Sequence, residues 1–529
     1  MSPKNMKRTI AITRLLPAAL VVMVLLVTPT AHAAAPGITG PSFNLTAEAA
    51  FISQPDGAMV YSWGYGCKGA PTGFNPPASK MQGANCPSMQ IPGPTLIVTQ
   101  GDTVSVTLTN SLPVQAGNTS ILFPGFAVTA SAVDATLTGP KAGLLTTEAP
   151  PGGAVTYTFT ASTPGTRAYY SGSQGDLQVE MGLYGTIIVL PNGSNATCPH
   201  HNGKAEQVDE QDFRLSPTGT AYGIAASCYD REYLFQFSEM DPNIHRQAEE
   251  IANCKGTGCP ANMNAVVTEP YHPAYYMING RSMPDDMDPN YALQYPHQPY
   301  NGNPHMHPGE LVLLRIVGTG RWQHPFHEHG NHVRVLARDG NLLLAPNSTT
   351  TLAGPLLFTT STTPGLAMDG IFYWTGKGLN WDVFGHTAAH DPGGCNNPDS
   401  NGYNTNVPDT APNYYEWCPD HLKALEKNPF SSDVAKGGPV TLPDANILAD
   451  GAWYGGSPYL GPEATARSVA PTPIPPSGTV ANDPGSEAGF AFMWHSHNER
   501  EITTNNIFPG GMMMMMLVDP RAYQINESN

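Results

Sequence analysis

The chain reads as all-β: two sandwich or barrel units in tandem, the second carrying a long irregular insertion. Three features point there. Gly 54 and Pro 52 are high among 529 residues, which suits frequent turns between short strands. Charged residues are only 13%, too few for long amphipathic helices. Short β-branched and aromatic runs recur with turn signals between them.

The first unit spans residues 40–195. Thr95-Leu-Ile-Val and Val104-Ser-Val-Thr-Leu-Thr are strand runs broken by Gly101-Asp102. Val155-Thr-Tyr-Thr-Phe-Thr alternates with period two between Gly152-Gly153 and Pro164-Gly165, and so has one face for a core. Gly185-Thr-Ile-Ile-Val-Leu closes the unit before Pro191-Asn192-Gly193. Residues 196–227 read as a linker, and a second unit runs over 228–520. Its strand candidates are Glu232–Phe237, Tyr275–Ile278, Glu310–Val317, His332–Leu336, Gly370–Trp374 and an end strand from Phe490. Both units have a Pro-Gly turn introducing a strand and both close on an aliphatic strand, which suggests an internal duplication. Residues 376–488 break the pattern. They are rich in Pro, Gly, Asn and Asp, with a Pro-rich stretch over 468–483, and are expected to form an irregular insertion acting as a lid or binding surface.

The start of the chain predicts export. Lys4, Lys7, Arg8 and Arg14 precede an apolar run from Leu15 to Val27, followed by Ala31-His32-Ala33. That is the order and size of a secretory signal peptide, residues 1–33, too short in its apolar part to span a bilayer comfortably. With no twin-arginine pair, a Sec-type route to the periplasm or exterior is expected, and no later segment reads as a membrane span. The net charge is −17, or −21 without the four basic leader residues. So acidic a surface repels phosphate backbones and argues against a nucleic-acid partner. The eight cysteines, at 67, 86, 198, 228, 254, 259, 395 and 418, fall into four sequence-near pairs. None has the doubled CxxC spacing of a zinc site, so they are expected to be disulfides of an oxidising compartment.

The strongest chemical signal is Gln323-His324-Pro325-Phe326-His327-Glu328-His329-Gly330-Asn331-His332. On a strand, His327 and His329 point to one face. Trp494-His495-Ser496-His497 repeats the i, i+2 arrangement about 165 residues later. Two such pairs on separate strands can converge into a four-imidazole site, and nitrogen-rich sites suit Cu, Zn, Fe or Ni rather than Mg or Ca. A single histidine is most often an ordinary surface or core residue; two HxH pairs in an exported β protein favour metal. His305-Met306-His307 reads as a solvated loop or an outer metal contact. His200-His201 and His386…His390 read as surface, and His272 and His297 carry no signal. The run Met512–Met516 reads as a flexible core filler, with Met512 lying nearest the histidine loop.

Together these motifs resemble the multicopper oxidases, built from cupredoxin domains. Ile91-Pro-Gly-Pro-Thr-Leu…Gly101-Asp-Thr-Val…Leu108-Thr-Asn is similar to that family's first-domain opening. His324-Pro-Phe-His-Glu-His-Gly is similar to its third copper motif and Trp494-His-Ser-His to its fourth. The resemblance implies tandem Greek-key cupredoxin-like domains, with His324, His327, His329, His495 and His497 as metal residues and copper, rather than zinc, as the cofactor. It also exposes departures. Where the first copper motif has histidines, this chain has Leu122 and Pro124; where the second has Tyr-His-Ser-His, it has Tyr169-Tyr170-Ser171-Gly172. Ser496 stands for the cysteine that ligates type 1 copper, and a hydroxyl cannot replace a thiolate for copper. Glu501 stands where the next type 1 histidine is expected. Four of the family's eight cluster histidines are matched, enough for one copper or a pair, and the cysteine link for electrons is missing.

The functional reading is therefore an exported copper-binding protein with a histidine-only mono- or dinuclear site. Copper-dependent oxidoreductase activity on O2, a small molecule or a metal ion is open to it, with Glu501 or Glu328 handling protons, but blue-laccase chemistry is not expected. The alternatives are a secreted structural or partner-binding β protein with a vestigial metal site, and a zinc hydrolase using Glu328 or Glu499 as base. Oligomeric state is open; a trimer is one arrangement the resemblance admits.

Overall fold

The alternation in the strands translates directly into layers. In a computed structural model, residues 35–76, 83–132, 141–193, 198, 212–384, 386, 393–408, 411, 413–423, 441–458, 490–519 and 525 are described. The expected leader, His200-His201, His390 and the Pro-rich stretch 468–483 lie outside them. Strands Thr103–Asn110 and Ala154–Thr160 pair antiparallel, and their inward residues Val104, Val106, Leu108, Val155, Tyr157 and Phe159 are buried. Each such side chain contributes about 1.5–3 kcal/mol through burial. This pair is part of a five-stranded sheet whose order is Met59–Cys67, Ser42–Ser53, Thr103–Asn110, Ala154–Thr160, Thr129–Ala132. A second five-stranded sheet runs Gly165–Tyr170, Tyr184–Leu190, Leu96–Thr99, Gly37–Thr39, Phe74–Asn75. Both sheets contribute to one core around Trp63, Tyr65, Leu96, Ile187 and Val189.

The second unit repeats the plan with larger sheets. One has eight strands and follows Leu215–Thr220, Cys228–Met240, Leu311–Gly318, Ala367–Tyr373, Val333–Arg338 and Asn341–Leu342, with Tyr275–Ile278 and Leu356–Leu357 paired alongside. The other has six: His305–Met306, Met513–Val518, Phe490–Ser496, His324–His327 and Thr359–Thr362 in order, with Gly456–Pro458 paired to Phe490–Ser496. Their shared core holds Phe235, Phe326, Phe372, Phe492 and Trp494. The chain is thus all-β, in tandem two-sheet units. One helix stands out: Pro242–Asn253, capped by Asp241, whose side chain accepts from the Asn243 amide. Its buried Ile244, Ala248 and Ile251 join the first unit's core, so the second unit's chain helps close the first. Thr186 donates to Gln236 at 2.8 Å and Thr166 to Asp369 at 2.6 Å across the same junction.

Two expectations need correction. Where it is described, the segment 196–227 is not a linker: Leu215–Thr220 is a strand paired with Cys228–Met240. The buried Asp212, held by Arg214 and Arg231, anchors its start. The stretch His305-Met306-His307 is not a solvated loop. Both histidines are buried, with Nδ1 of His305 2.8 Å from the Asp519 carboxylate and Nδ1 of His307 2.8 Å from the Asp519 carbonyl.

The cysteines pair as 67–86, 198–228, 254–259 and 395–418. Among the described residues no helix is long and apolar enough to cross a membrane. Where it is described, the insertion has little regular structure and is docked on the second unit. Leu379, Trp381, Val383 and Phe384 are buried in the second core, and Gly456–Pro458 extends the six-stranded sheet.

Candidate metal centre

Strand pairing brings the two HxH motifs together. His324–His327 lies antiparallel to Phe490–Ser496, with His327 directly opposite His495. Phe326 is fully buried, 4.6 Å from the Phe237 ring and 6.4 Å from Trp494 between centroids. Burying it turns His327, its neighbour in the pleat, to the opposite face. Two main-chain contacts lock the register: the Trp494 indole donates to the His329 carbonyl at 3.0 Å, and the His497 amide donates to the Pro325 carbonyl at 2.8 Å.

Four imidazoles meet there. Ring centroids are 4.6 Å apart for His327–His329, 5.1 Å for His327–His497, 5.2 Å for His329–His495, 5.4 Å for His495–His497 and 5.8 Å for His327–His495. Three rings are held through Nδ1. That of His329 donates to the Gly455 carbonyl at 2.8 Å, that of His495 to the Ser496 carbonyl at 2.7 Å, and that of His327 lies 2.9 Å from the Thr359 hydroxyl. A proton committed at Nδ1 leaves the lone pair on Nε2, the tautomer a metal ion needs. The buried Nε2 of His327 has no hydrogen-bond partner. Burial lowers the pKa of His327 to about 4, and the three neighbouring imidazoles push the same way. Burial likewise lowers His329 and His495. Rings that stay neutral need not lose a proton to bind a cation. His497 is half exposed and opens the group to solvent.

His324 is placed elsewhere. Its Nδ1 is 2.8 Å from Glu501 and its Nε2 2.9 Å from Glu239, all three side chains buried. Burial opposes its charge, but the two carboxylates outweigh it and raise its pKa to about 9. With both nitrogens donating to carboxylates it has no lone pair for a metal, which departs from the sequence expectation of His324 as a ligand. Glu501 is equally committed. Its carboxylate also accepts from the Ser496 hydroxyl and from Asn498 at 2.9 Å, so it is placed as a partner that orients the His324 imidazole. Ser496 is therefore tied into an ion-paired network with His324 and Glu501. Glu328 differs. One oxygen accepts from Thr360 at 2.6 Å while the other is buried without a partner. Burial raises its pKa to about 8. It lines a cavity of about 150 Å³ with His332, Phe358, Asp450 and Tyr454.

In the first unit, Leu122, Pro124, Tyr170 and Gly172 occupy the positions of the missing imidazoles. Leu122 and Tyr170 exchange main-chain hydrogen bonds, and a Cβ on Gly172 would sit 2.9 Å from Leu122 Cγ. Nearby, Gln178 accepts from Thr119 at 2.9 Å and Ser171 at 2.7 Å. Met512 is fully buried in the core, and Met513 pairs across the sheet with His495.

The sequence offered the insertion as a lid or binding surface but singled out neither Tyr454 nor Gly455. Tyr454 lies 5.4 Å from His329 and 6.2 Å from His327 between ring centroids, and Gly455 supplies the carbonyl that orients His329. A carbonyl acceptor has no residue-type signature, so nothing in the sequence could flag it. Gly455 has φ +67°, and a Cβ there would meet His329 Nδ1 at 1.9 Å. Gly455→Ala is therefore expected to displace the His329 ring. It should lower metal affinity by about 10–100-fold, the usual cost of losing an orienting partner, measured by competition with a chromophoric chelator.

Comparison with known proteins places the first unit. Residues 75–194 match the multicopper oxidase family model; the four-imidazole group lies outside that segment. No curated protein matches the chain. Among solved structures, the blue copper oxidase from Nitrosomonas europaea is 15% identical, covering 90% of this chain and 85% of its own, with TM-score 0.43. The multicopper oxidase mgLAC is 15% identical over 92% and 87%, with TM-score 0.42. A copper nitrite reductase from Nitrosomonas europaea is 19% identical over 64% and 85%, with TM-score 0.36. The N-terminal sandwich thus carries a multicopper oxidase domain at residues 75–194.

Proposed function

We propose that this is an exported copper-binding protein in which His327, His329, His495 and His497 hold one copper ion or a pair, serving a non-blue oxidoreductase. One observation carries the reading: four imidazoles converge from two paired segments, three of them anchored through Nδ1 and held neutral by burial. All-nitrogen donation suits copper, and the family match favours copper over zinc. When bound, copper supplies one-electron redox chemistry and an open position for O2, a small molecule or a metal ion. The protein's part is orientation and access. Thr359, Gly455 and the Ser496 carbonyl aim the rings, Tyr454 and Phe358 wall them, and half-exposed His497 faces solvent. Glu328 is the proton-holding group best placed beside this wall. Four disulfide pairs support an oxidising compartment.

The non-blue character rests on Ser496, since the thiolate needed for type 1 copper is replaced by a hydroxyl bonded to Glu501. Metal analysis of the purified exported protein should find one or two coppers per chain, with a copper EPR signal and no intense blue band. Ser496→Cys should also stay colourless in the blue region, because His324 remains held by Glu239 and Glu501. A strong blue band in the parent chain, or copper no higher than in a His327→Ala control, would overturn the reading.

A further inference from the structure

The insertion contains a second cluster that the four-imidazole group does not use. Its ligand atoms, from His386, Glu416 and His421, all lie within 4.8 Å of one another. Oε2 of Glu416 is 2.9 Å from Nε2 of His421 and 3.4 Å from Nε2 of His386. The two imidazole centroids are 4.4 Å apart. All three side chains are sequestered, at 1% exposure for His386, 0% for Glu416 and 7% for His421.

We propose that His386, Glu416 and His421 form a divalent-cation site of the zinc class that fastens the 416–421 segment of the insertion to its core-anchored start. Two imidazole nitrogens and one carboxylate oxygen are a donor set that zinc takes, leaving a fourth position for water or another ligand. Asp382 sets the orientation of His386. Its Nδ1 lies 3.1 and 3.3 Å from the two oxygens of Asp382. Donation there aims Nε2 at Glu416 and His421, and a carboxylate at the far nitrogen is the usual orienting partner of a metal-bound histidine. Asp382 also accepts from the Phe384 amide at 3.0 Å and the Leu422 amide at 2.8 Å, so one carboxylate holds the segments carrying both histidines in register. The Cys395–Cys418 disulfide closes the same loop three residues before His421. A cation there would fasten the two segments noncovalently beside the covalent link. The anchored segment continues into Trp381 and Phe384 in the core, and the same insertion later supplies Tyr454 and Gly455 to the four-imidazole wall. The site stands independently of the copper reading.

The test uses the full chain carrying His327→Ala and His495→Ala, which removes competition from the other group. After chelation and dialysis, titration with Zn2+ should give one equivalent bound. Adding His386→Ala and His421→Ala should abolish it, and Asp382→Asn should weaken it by about 10–100-fold. Should those variants fold poorly, zinc-edge X-ray absorption on the parent chain decides: N/O scatterers at about 2.0–2.1 Å with two imidazoles support the site. No retained zinc, or one equivalent still bound after both histidines are removed, overturns it.

Discussion

Changing His327 and His495 together to alanine is expected to strip the chain of copper, lowering its affinity by well over about 100-fold, more than the usual loss of an orienting partner. These two face each other across the strand pair and contribute one ring from each motif, so neither remaining motif can chelate alone. The fold should survive. Three of the four rings have lowered pKa values and are neutral in the apo chain, so removing two exposes no unpaired buried charge. Circular dichroism and melting should match the parent without metal, while metal analysis shows the loss. Thr359→Val, which removes only the Nδ1 partner of His327, should fall between, at about 10–100-fold. Undiminished copper in the double variant would eliminate the site.

His324→Ala should have the largest effect on stability. It leaves Glu239 and Glu501 buried without the cation between them, a loss of about 3–5 kcal/mol. At about 2–4 °C per kcal/mol for a domain of this size, the second unit should melt about 10 °C lower. The pH dependence has a definite sign. His324 binds its proton more tightly folded, with a pKa of about 9, than unfolded, at about 6.5. The stabilisation is therefore fully present below pH ~6.5 and lost as pH rises through ~9. That shift corresponds to about 3 kcal/mol. Melting curves across this range should show the loss in the parent and a flatter profile in His324→Ala. Equal slopes in the two would show that the network is not ion-paired.

The three histidines of this motif show what a linear pattern can and cannot carry. His327 and His329 were legible because spacing on a strand dictates the face a side chain takes. His324 has the same residue type and sits in the same motif, yet its role was not legible. Glu239 comes from another sheet and Glu501 from a short turn 177 residues along, and only their arrival turns an expected ligand into a buried imidazolium. His386 illustrates the converse. It read as a surface residue in a polar stretch, and its burial depends on Glu416 and His421 folding over it. The boundary at 196–227 failed for a related reason: Leu215–Thr220 alternates weakly, and its strand is imposed by the neighbour it pairs with.

By itself the sequence determined the class of fold, the expectation that the cysteines form disulfides, the absence of a thiolate at position 496 and the candidacy of two imidazole doublets. These follow from local periodicity, residue chemistry and short loop lengths, which need no partner to be read. The tertiary structure alone decided that the doublets face each other, that Gly455 and Thr359 orient them, and that a buried ion network occupies the position beside Ser496. Those outcomes depend on long-range strand pairing and on desolvation, which sets the protonation and free lone pairs of each ring only once the surrounding chain has excluded water.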